Sequence, residues 1–264
     1  MKHTIYQVDA FTREPFKGNP AAVYITDGFL DPALMQNIAM EMNLSETAFV
    51  TALDKGFRIR YYTPVSEVEL CGHATLSASH ILYETGMVDP DENIEFHSKA
   101  GILNIRKKGR SIIMDFPVYK LEKMDIPESF HESTGLNALE LYRSDYDWKL
   151  VLVQSEEEVL MAGPDPSAIR KAGLGELIVT AISSNKDYDF MVRCFVPDLG
   201  MGEDPVTGSA HCALAPFWYK KTGKKEFRSF QASKRSGKLN VKLTGERVEI
   251  SGEALTVLKA DLLV

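Results

Sequence analysis

Residues 69–86 read ELCGHATLSASHILYETG, and residues 203–223 read EDPVTGSAHCALAPFWYKKTG. Each starts as a short polar loop, passes through a glycine and continues as a run with little charge until its end. A helix that is apolar on most of its sides is a buried one. Two such helices, over roughly 72–83 and 208–220, predict a chain built twice around a central helix.

Working outward from them, the repetition extends. DPALMQNIAMEMN begins at Asp31 and DPSAIRKAGLG at Asp165, 134 positions on; RYYTP begins at Arg60 and RCFVP at Arg193, 133 on; Gly72 and Gly208 stand 136 apart. A nearly constant offset is the mark of an internal duplication. In the first copy Asp31 supplies an N-cap and Pro32 a first helical position, after which Leu34, Met35, Ile38, Ala39 and Met42 recur at helical spacing. Strand candidates surround it: TIYQVDAF, AAVYIT, TAFVTAL, FRIRYYT, NIEFHS, ILNIRKK and SIIMDFP. Few of these are followed by helices, which argues against a doubly wound parallel sheet. The expected fold is α+β, with two pseudo-symmetric domains, each a curved, mostly antiparallel sheet or partial barrel around its central helix. Prolines and charges replace the strand pattern over 117–129, so the expected lobes are 1–117 and 118–252.

Composition narrows the function. At 264 residues, 44% hydrophobic and 25% charged, the chain can bury a large core without staples. A formal charge of −7 disfavours a nucleic-acid partner, and the basic runs at 106–110 and 220–228 read as solvated turns. No stretch approaches the roughly 20 apolar residues of a membrane span, and the first residues carry no export pattern, so a cytoplasmic protein without a membrane partner is expected. Three separated cysteines, Cys71, Cys194 and Cys212, suit a reducing compartment. No C-x-x-C is present, and Cys71 with His73 gives too few ligands, so no metal site is expected.

The two helix starts are the candidate chemistry. A helix N-terminus offers unpaired N–H groups and a partial positive charge, and glycine lets a ligand approach closely. Gly72 with His73 and Gly208 with Ser209 therefore make two cradles for a small carboxylate. Glu46, beside Ser45 in NLSETAFV, sits at the edge of an apolar strand, where desolvation raises a carboxyl pKa toward neutrality. Asp204 precedes the second helix, where a helix-leading carboxylate is an equally good reading. His73 could act as acid, base or donor. His80, His97 and His131 read as structural, and His211 as a packed histidine. Cys71 could be a thiolate activated by the helix start, but its counterpart is Thr207, which rules out a symmetrical two-thiol mechanism.

QVDAFTREPFKGNPAAV, LSETAFV, YYTPVSEVELCGHAT and GEDPVTGSAHC, in this order and spacing, resemble the phenazine-biosynthesis PhzF-like proteins. That resemblance implies the diaminopimelate epimerase fold, an active site in the cleft between the lobes, and a last strand, 253–264, that crosses back to complete the first lobe. By motif, it makes Glu46 the proton-shuttling acid/base, with His73 and Asp204 beside it in catalysis and Ser45, Gly72, Gly208 and Ser209 contacting substrate. The expected activity is a cofactor-independent isomerase acting on a small carboxylate-bearing metabolite, and a homodimer is common in such folds. Two alternatives stand beside it: a binding or regulatory protein that keeps the fold without the reaction, and a single-thiol epimerase or dehydratase using Cys71.

Overall fold

The apolar runs become strands in the computed structural model, which describes residues 3–28, 30–197 and 202–263. Met1, Lys2 and Val264, at the outer ends of the stretches read as first and last strands, lie outside the described residues. The chain divides into two compact units, residues 1–115 with 251–264 and residues 116–250.

The first unit opens with β1 (His3–Ala10), β2 (Asn19–Thr26), α1 (Pro32–Met42), β3 (Glu46–Ala52), β4 (Phe57–Tyr62), β5 (Glu67–Val68), α2 (Gly72–Glu84), β6 (Ile94–Ser98), β7 (Gly101–Lys108) and β8 (Ser111–Pro117). Antiparallel pairing joins β1 to β2, β3 to β4 and the β6–β7–β8 meander, while β2 runs parallel to β3 and β4 to β6. Both faces of this sheet are covered. Tyr24, Phe49 and Tyr62 meet Met35, Ile38 and Ala39 of α1 in one apolar cluster. On the other side α2 packs against β1, β2 and β3, and the Tyr61 hydroxyl reaches Thr75 Oγ1 at 2.6 Å. Strands buried on two faces read as continuous apolar runs rather than alternations, as β2 and β3 do. Leu34, expected in the core, is instead exposed; Met35, Ile38 and Ala39 are the buried residues of α1.

Ten of the thirteen residues of α2 are buried, hydroxyls among them. Thr75, Ser77 and Ser79 donate to the carbonyls of Cys71, His73 and Thr75, four residues back, at 2.6, 2.8 and 2.8 Å. These local bonds satisfy the three hydroxyl donors within the helix.

The second unit repeats the plan with β9 (Leu121–Met124), α3 (Phe130–Thr134), β10 (Glu140–Ser144), β11 (Lys149–Leu152), α4 (Glu156–Met161), α5 (Pro166–Lys171), β12 (Leu177–Ile182), β13 (Phe190–Val196), β14 (Gly202–Asp204), α6 (Ala210–Thr222), β15 (Glu226–Gln231), β16 (Gly237–Thr244) and β17 (Arg247–Gly252), the last ending in the first unit's residues. β11 lies parallel to β12, β12 antiparallel to β13, β13 parallel to β15 and β15 antiparallel to β16. This is the order of directions found along β2, β3, β4, β6 and β7. The residue offsets correspond to duplicated contacts. Asp31 caps α1 through Ala33 N at 2.8 Å, and Asp165 caps α5 through Ser167 N at 2.9 Å. Arg60 grips Glu67 through two nitrogens at 2.7 and 2.8 Å, and Arg193 grips Glu203 at 2.6 and 2.9 Å.

One boundary differs from expectation. The second central helix starts at Ala210, with Gly208 and Ser209 in a turn. The amides of His211 and Cys212 bond only three residues back, to the carbonyls of Gly208 and Ser209, so the chain enters the helix through a tighter first turn. Finally β18 (Ala254–Leu262) lies antiparallel on β1, from Ala254 opposite Ala10 to Leu262 opposite His3.

Candidate active site

Three local features of the first unit bring its polar residues together. Asn43, in the left-handed conformation, ends α1, and two residues later Ser45 and Glu46 enter β3. Gly18, at φ +69°, turns the chain into β2; a Cβ there would lie 2.1 Å from the Ala10 carbonyl oxygen, so no other residue fits. The turn delivers Asn19, fully buried, to the start of β2. Cys71 is the N-cap of α2, and His73 is its second residue.

The imidazole of His73 is the hub. Its Nε2 lies 3.1 Å from Glu46 Oε2 and 3.2 Å from Ser45 Oγ, and its Nδ1 lies 3.2 Å from the Asn19 amide and 3.5 Å from Cys71 Sγ. The ring is 6% exposed, so its neighbours rather than water set its charge. Burial pushes the Glu46 carboxyl up, but the charge of His73 and hydrogen bonds from His73, Ser45 and Cys71 outweigh it, and the group sits below the usual carboxylate value. This reverses the expectation of a desolvated, near-neutral glutamate: His73 is the neighbour that the sequence could not place. Burial also opposes charge on His73, yet Cys71 and Glu46 together hold it well above the ordinary imidazole value. The resting pair is carboxylate and imidazolium. Burial, reinforced by the Glu46 charge, pushes the Cys71 thiol up, so the activated thiolate expected from the helix start is not the resting form.

In the second unit Asp204 ends β14, and its Oδ2 accepts the Thr207 hydroxyl at 2.6 Å. Gln231 clamps the same loop, accepting Thr207 N at 2.8 Å and donating to Asp204 O at 2.8 Å and Thr207 Oγ1 at 3.2 Å. Behind the loop His211 Nδ1 lies 2.9 Å from Thr207 O and Nε2 2.8 Å from Ser229 Oγ. Burial lowers the His211 pKa to about 4, so it is neutral; Nδ1–H donates to the carbonyl and Nε2 accepts from the serine. His211 is a packed histidine, as expected. Gly208 is buried and Ser209 half-buried at the head of the turn.

The structure thus gathers Glu46, His73, Ser45 and Cys71 around one imidazole with Gly72 next in the chain, and gathers Asp204 and Thr207 beside Gly208 and Ser209. Sequence patterns do not single out Asn19 or Gln231. Asn19 stands inside the GNP stretch with a positive-φ glycine before it, a signal that could have found it, whereas nothing local marks Gln231, which arrives from a distant strand.

Helix starts are treated unequally. Asp31, Ser155 and Asp165 place side-chain acceptors on the first turns of α1, α4 and α5, while neither Cys71 nor Ser209 does so for α2 and α6. The short α3 lacks a side-chain cap as well, and the His211 and Cys212 amides of α6 already bond to Gly208 and Ser209; of the two central helices it is α2, with no side-chain cap, that better meets what an anion cradle requires.

This fold is shared with a probable proline racemase from Agrobacterium radiobacter, whose structure matches with a TM-score of 0.67 at 12% identity over 99% of this chain and 93% of that one. An uncharacterized isomerase of Halalkalibacterium halodurans is 43% identical over 265 residues, covering all of both chains. The protein is an isomerase. The crystal structure of a PhzF-family protein from Enterococcus faecalis matches with a TM-score of 0.95 at 38% identity, covering 100% of each chain. The chain belongs to the PhzC-PhzF family, whose profile, described as phenazine biosynthesis-like protein, matches residues 8–260.

Proposed function

We propose that the protein is a cofactor-independent isomerase that relocates a proton, and with it a double bond or a stereocentre, within a small carboxylate-bearing metabolite. The observation that carries this reading is the buried ion pair of Glu46 and His73 at the head of α2. Glu46 is ionised at rest and so starts as the base. Its Oε2 lies 3.1 Å from His73 Nε2, so the base that takes the proton from carbon is held in place by the imidazolium. The imidazolium stabilises the carboxylate and holds its direction, and Ser45 and Asn19 fix the ring. Charge developing on the substrate is met by the uncapped amides of α2. Glu46 then returns the proton at the second carbon. By motif, Asp204 joins His73 in positioning substrate or completing the proton relay, and Gly208 and Ser209 contact substrate from the second unit.

The single-thiol alternative has less support, because the Cys71 thiol is pushed up and stays protonated. Solvent-deuterium incorporation into a panel of cyclic and amino-acid carboxylates tests the proposal. Glu46→Gln should reduce exchange roughly 100- to 10,000-fold while the variant folds and binds ligand. Exchange that survives in Glu46→Gln but vanishes in Cys71→Ser would transfer the chemistry to the thiol, and tight binding with no exchange in the parent protein would make it a binding protein.

A further inference from the structure

The basic run at 220–228, expected to be a solvated turn, divides in two. Lys224 turns to Asp189 at 2.9 Å, whereas Lys220 and Lys221 end α6 and line a cavity of about 670 Å3 together with Lys120 and Lys123, from the opposite end of the unit's sequence. Strand register explains the meeting. Lys123 of β9 stands opposite Tyr142 of β10, and the alternation of the strands sends Leu121, Lys123, Glu140 and Tyr142 to one face and Glu122 and Arg143 to the other. Phe217 of α6 lies edge-on to the Tyr142 ring at 5.5 Å, so the same face has an aromatic floor. Its wall is fixed in place. Pro216 has no amide, which leaves the Cys212 carbonyl one turn back without its helical donor; the amide of Tyr119 takes that carbonyl at 3.0 Å and ties the wall to α6. The Tyr119 ring is held in turn by stacking on Tyr146 at 4.2 Å.

We propose that this cavity binds a small organic anion with at least two negative charges and a flat apolar body, the body against Tyr119, Tyr142 and Phe217 and the charged group toward Lys120, Lys123 and Lys220. Charge is the first argument. Of the four lysines only Lys221 is neutralised locally: it donates to Glu140 Oε1, and the other oxygen of Glu140 accepts the Tyr142 hydroxyl at 2.6 Å. Lys120, Lys123 and Lys220 make no salt bridge among the described residues, so three positive charges remain around one cavity in a chain of formal charge −7. The negative end of the α6 dipole accounts for lysines at 220 and 221, but not for Lys120 and Lys123, which arrive from another element. Size and lining are the second argument. A preformed concave site of roughly 300–1,000 Å3 with aromatic walls and a few polar groups is the usual seat of a small molecule. A bare inorganic anion leaves the aromatic floor unused, and a neutral ring leaves the lysines repelling one another. A long nucleic-acid strand is repelled by the rest of the acidic chain. The proposal uses no residue of the catalytic reading and does not depend on it.

Naphthyl phosphate, a dianion with a flat body, is the probe; inorganic phosphate and naphthol carry its two halves. Calorimetric titration of the full chain should find one probe molecule per chain and clearly weaker binding of either half. Lys120→Gln with Lys123→Gln should weaken the probe by about tenfold or more and flatten the dependence of its affinity on salt. Lys224→Gln with Lys225→Gln, the same loss of charge outside the cavity, should leave affinity unchanged. All four lysines are exposed, and circular dichroism checks that both pairs of substitutions leave the chain folded. Amide shifts on binding should centre on residues 118–123 and 216–221. No binding, equal losses in the two double variants, or inorganic phosphate as tight as the probe would each overturn the site. Shifts centred on residues 71–75 or 207–209 would move the probe to the candidate active site and overturn it too. So would a parent chain that sediments as a dimer, ignores the probe and becomes monomeric in the Lys120 and Lys123 double variant, because the face would then belong to a second copy.

Discussion

At the scale of single residues, the proposed chemistry turns on a glutamate kept ionised by a histidine that is itself kept ionised. The two shifts have opposite linkage signs. Glu46, depressed in the folded state, contributes stability above the ordinary carboxylate value and loses it as pH falls through its lowered pKa. His73, raised in the folded state, contributes stability below the ordinary imidazole value and loses it as pH rises through its raised pKa. The pair therefore stabilises the first unit most between those limits. His73→Leu leaves a buried carboxylate without its partner and should cost about 3–5 kcal/mol at neutral pH. Near pH 4 Glu46 can take up a proton instead, and the loss should shrink. Urea unfolding of parent and variant at both pH values checks this; a difference that does not change with pH would mean the ion pair is not what His73 supplies. The pH profile of deuterium exchange should agree, with its acid limb below the usual carboxylate range. The sequence made Glu46, His73, Ser45 and Cys71 legible because each stands in a short local motif. The sign of the Glu46 shift was not legible, since it depends on a distance between residues 27 positions apart in the chain.

At the scale of elements, what the sequence revealed was pattern and what it hid was handedness of detail. Aspartate followed by proline marked α1 and α5, because that signal acts over a few residues, whereas the repeated arginines showed the duplication without showing the ion pairs they make. The start of α6 lies two residues beyond the glycine signal because Gln231, remote in sequence, clamps Thr207 and Asp204 and holds the loop open to that point. Within α2 the same logic yields a test. Thr75 Oγ1 donates to Cys71 O and so accepts from the buried Tyr61 hydroxyl at 2.6 Å. Thr75→Val orphans that phenol and should cost about 1–3 kcal/mol, whereas Tyr61→Phe leaves the threonine satisfied and should cost about 0.5–1.5 kcal/mol. In the double variant no orphan remains, so the costs should be less than additive. Equal single costs with full additivity, measured by denaturant unfolding, would break the link between strand β4 and the central helix. Gly18→Ala is the sharper lesion: the strained φ and the clash with Ala10 O together should cost more than about 1–3 kcal/mol, displace Asn19, and lower deuterium exchange.

At the scale of the whole molecule, the duplication explains why two units share one plan, yet their connectivity is unequal. The second unit is one continuous stretch, 116–250, while the first needs residues 251–264 from the far end of the chain. β18 is not an ornament on an edge. It pairs with β1 along eight residues, its Thr256 hydroxyl lies 2.6 Å from Glu84 Oε2 and 3.2 Å from His80 Nε2 of α2, and α2 carries half of the proposed catalytic cluster. Pairings between segments so distant in sequence carry a large loop-closure cost and form late. Pulse-labelled hydrogen exchange during refolding should therefore protect amides of β11, β12 and β13 before those of β1. A chain ending at residue 252 should keep a folded second unit but lose protection in β1 and deuterium exchange into substrate, and a synthetic 251–264 peptide added in excess should restore part of both. Early protection of β1 in the full chain, or undiminished deuterium exchange into substrate in the truncated one, would show that the first unit closes without its final strand and that the crossover is dispensable to the site.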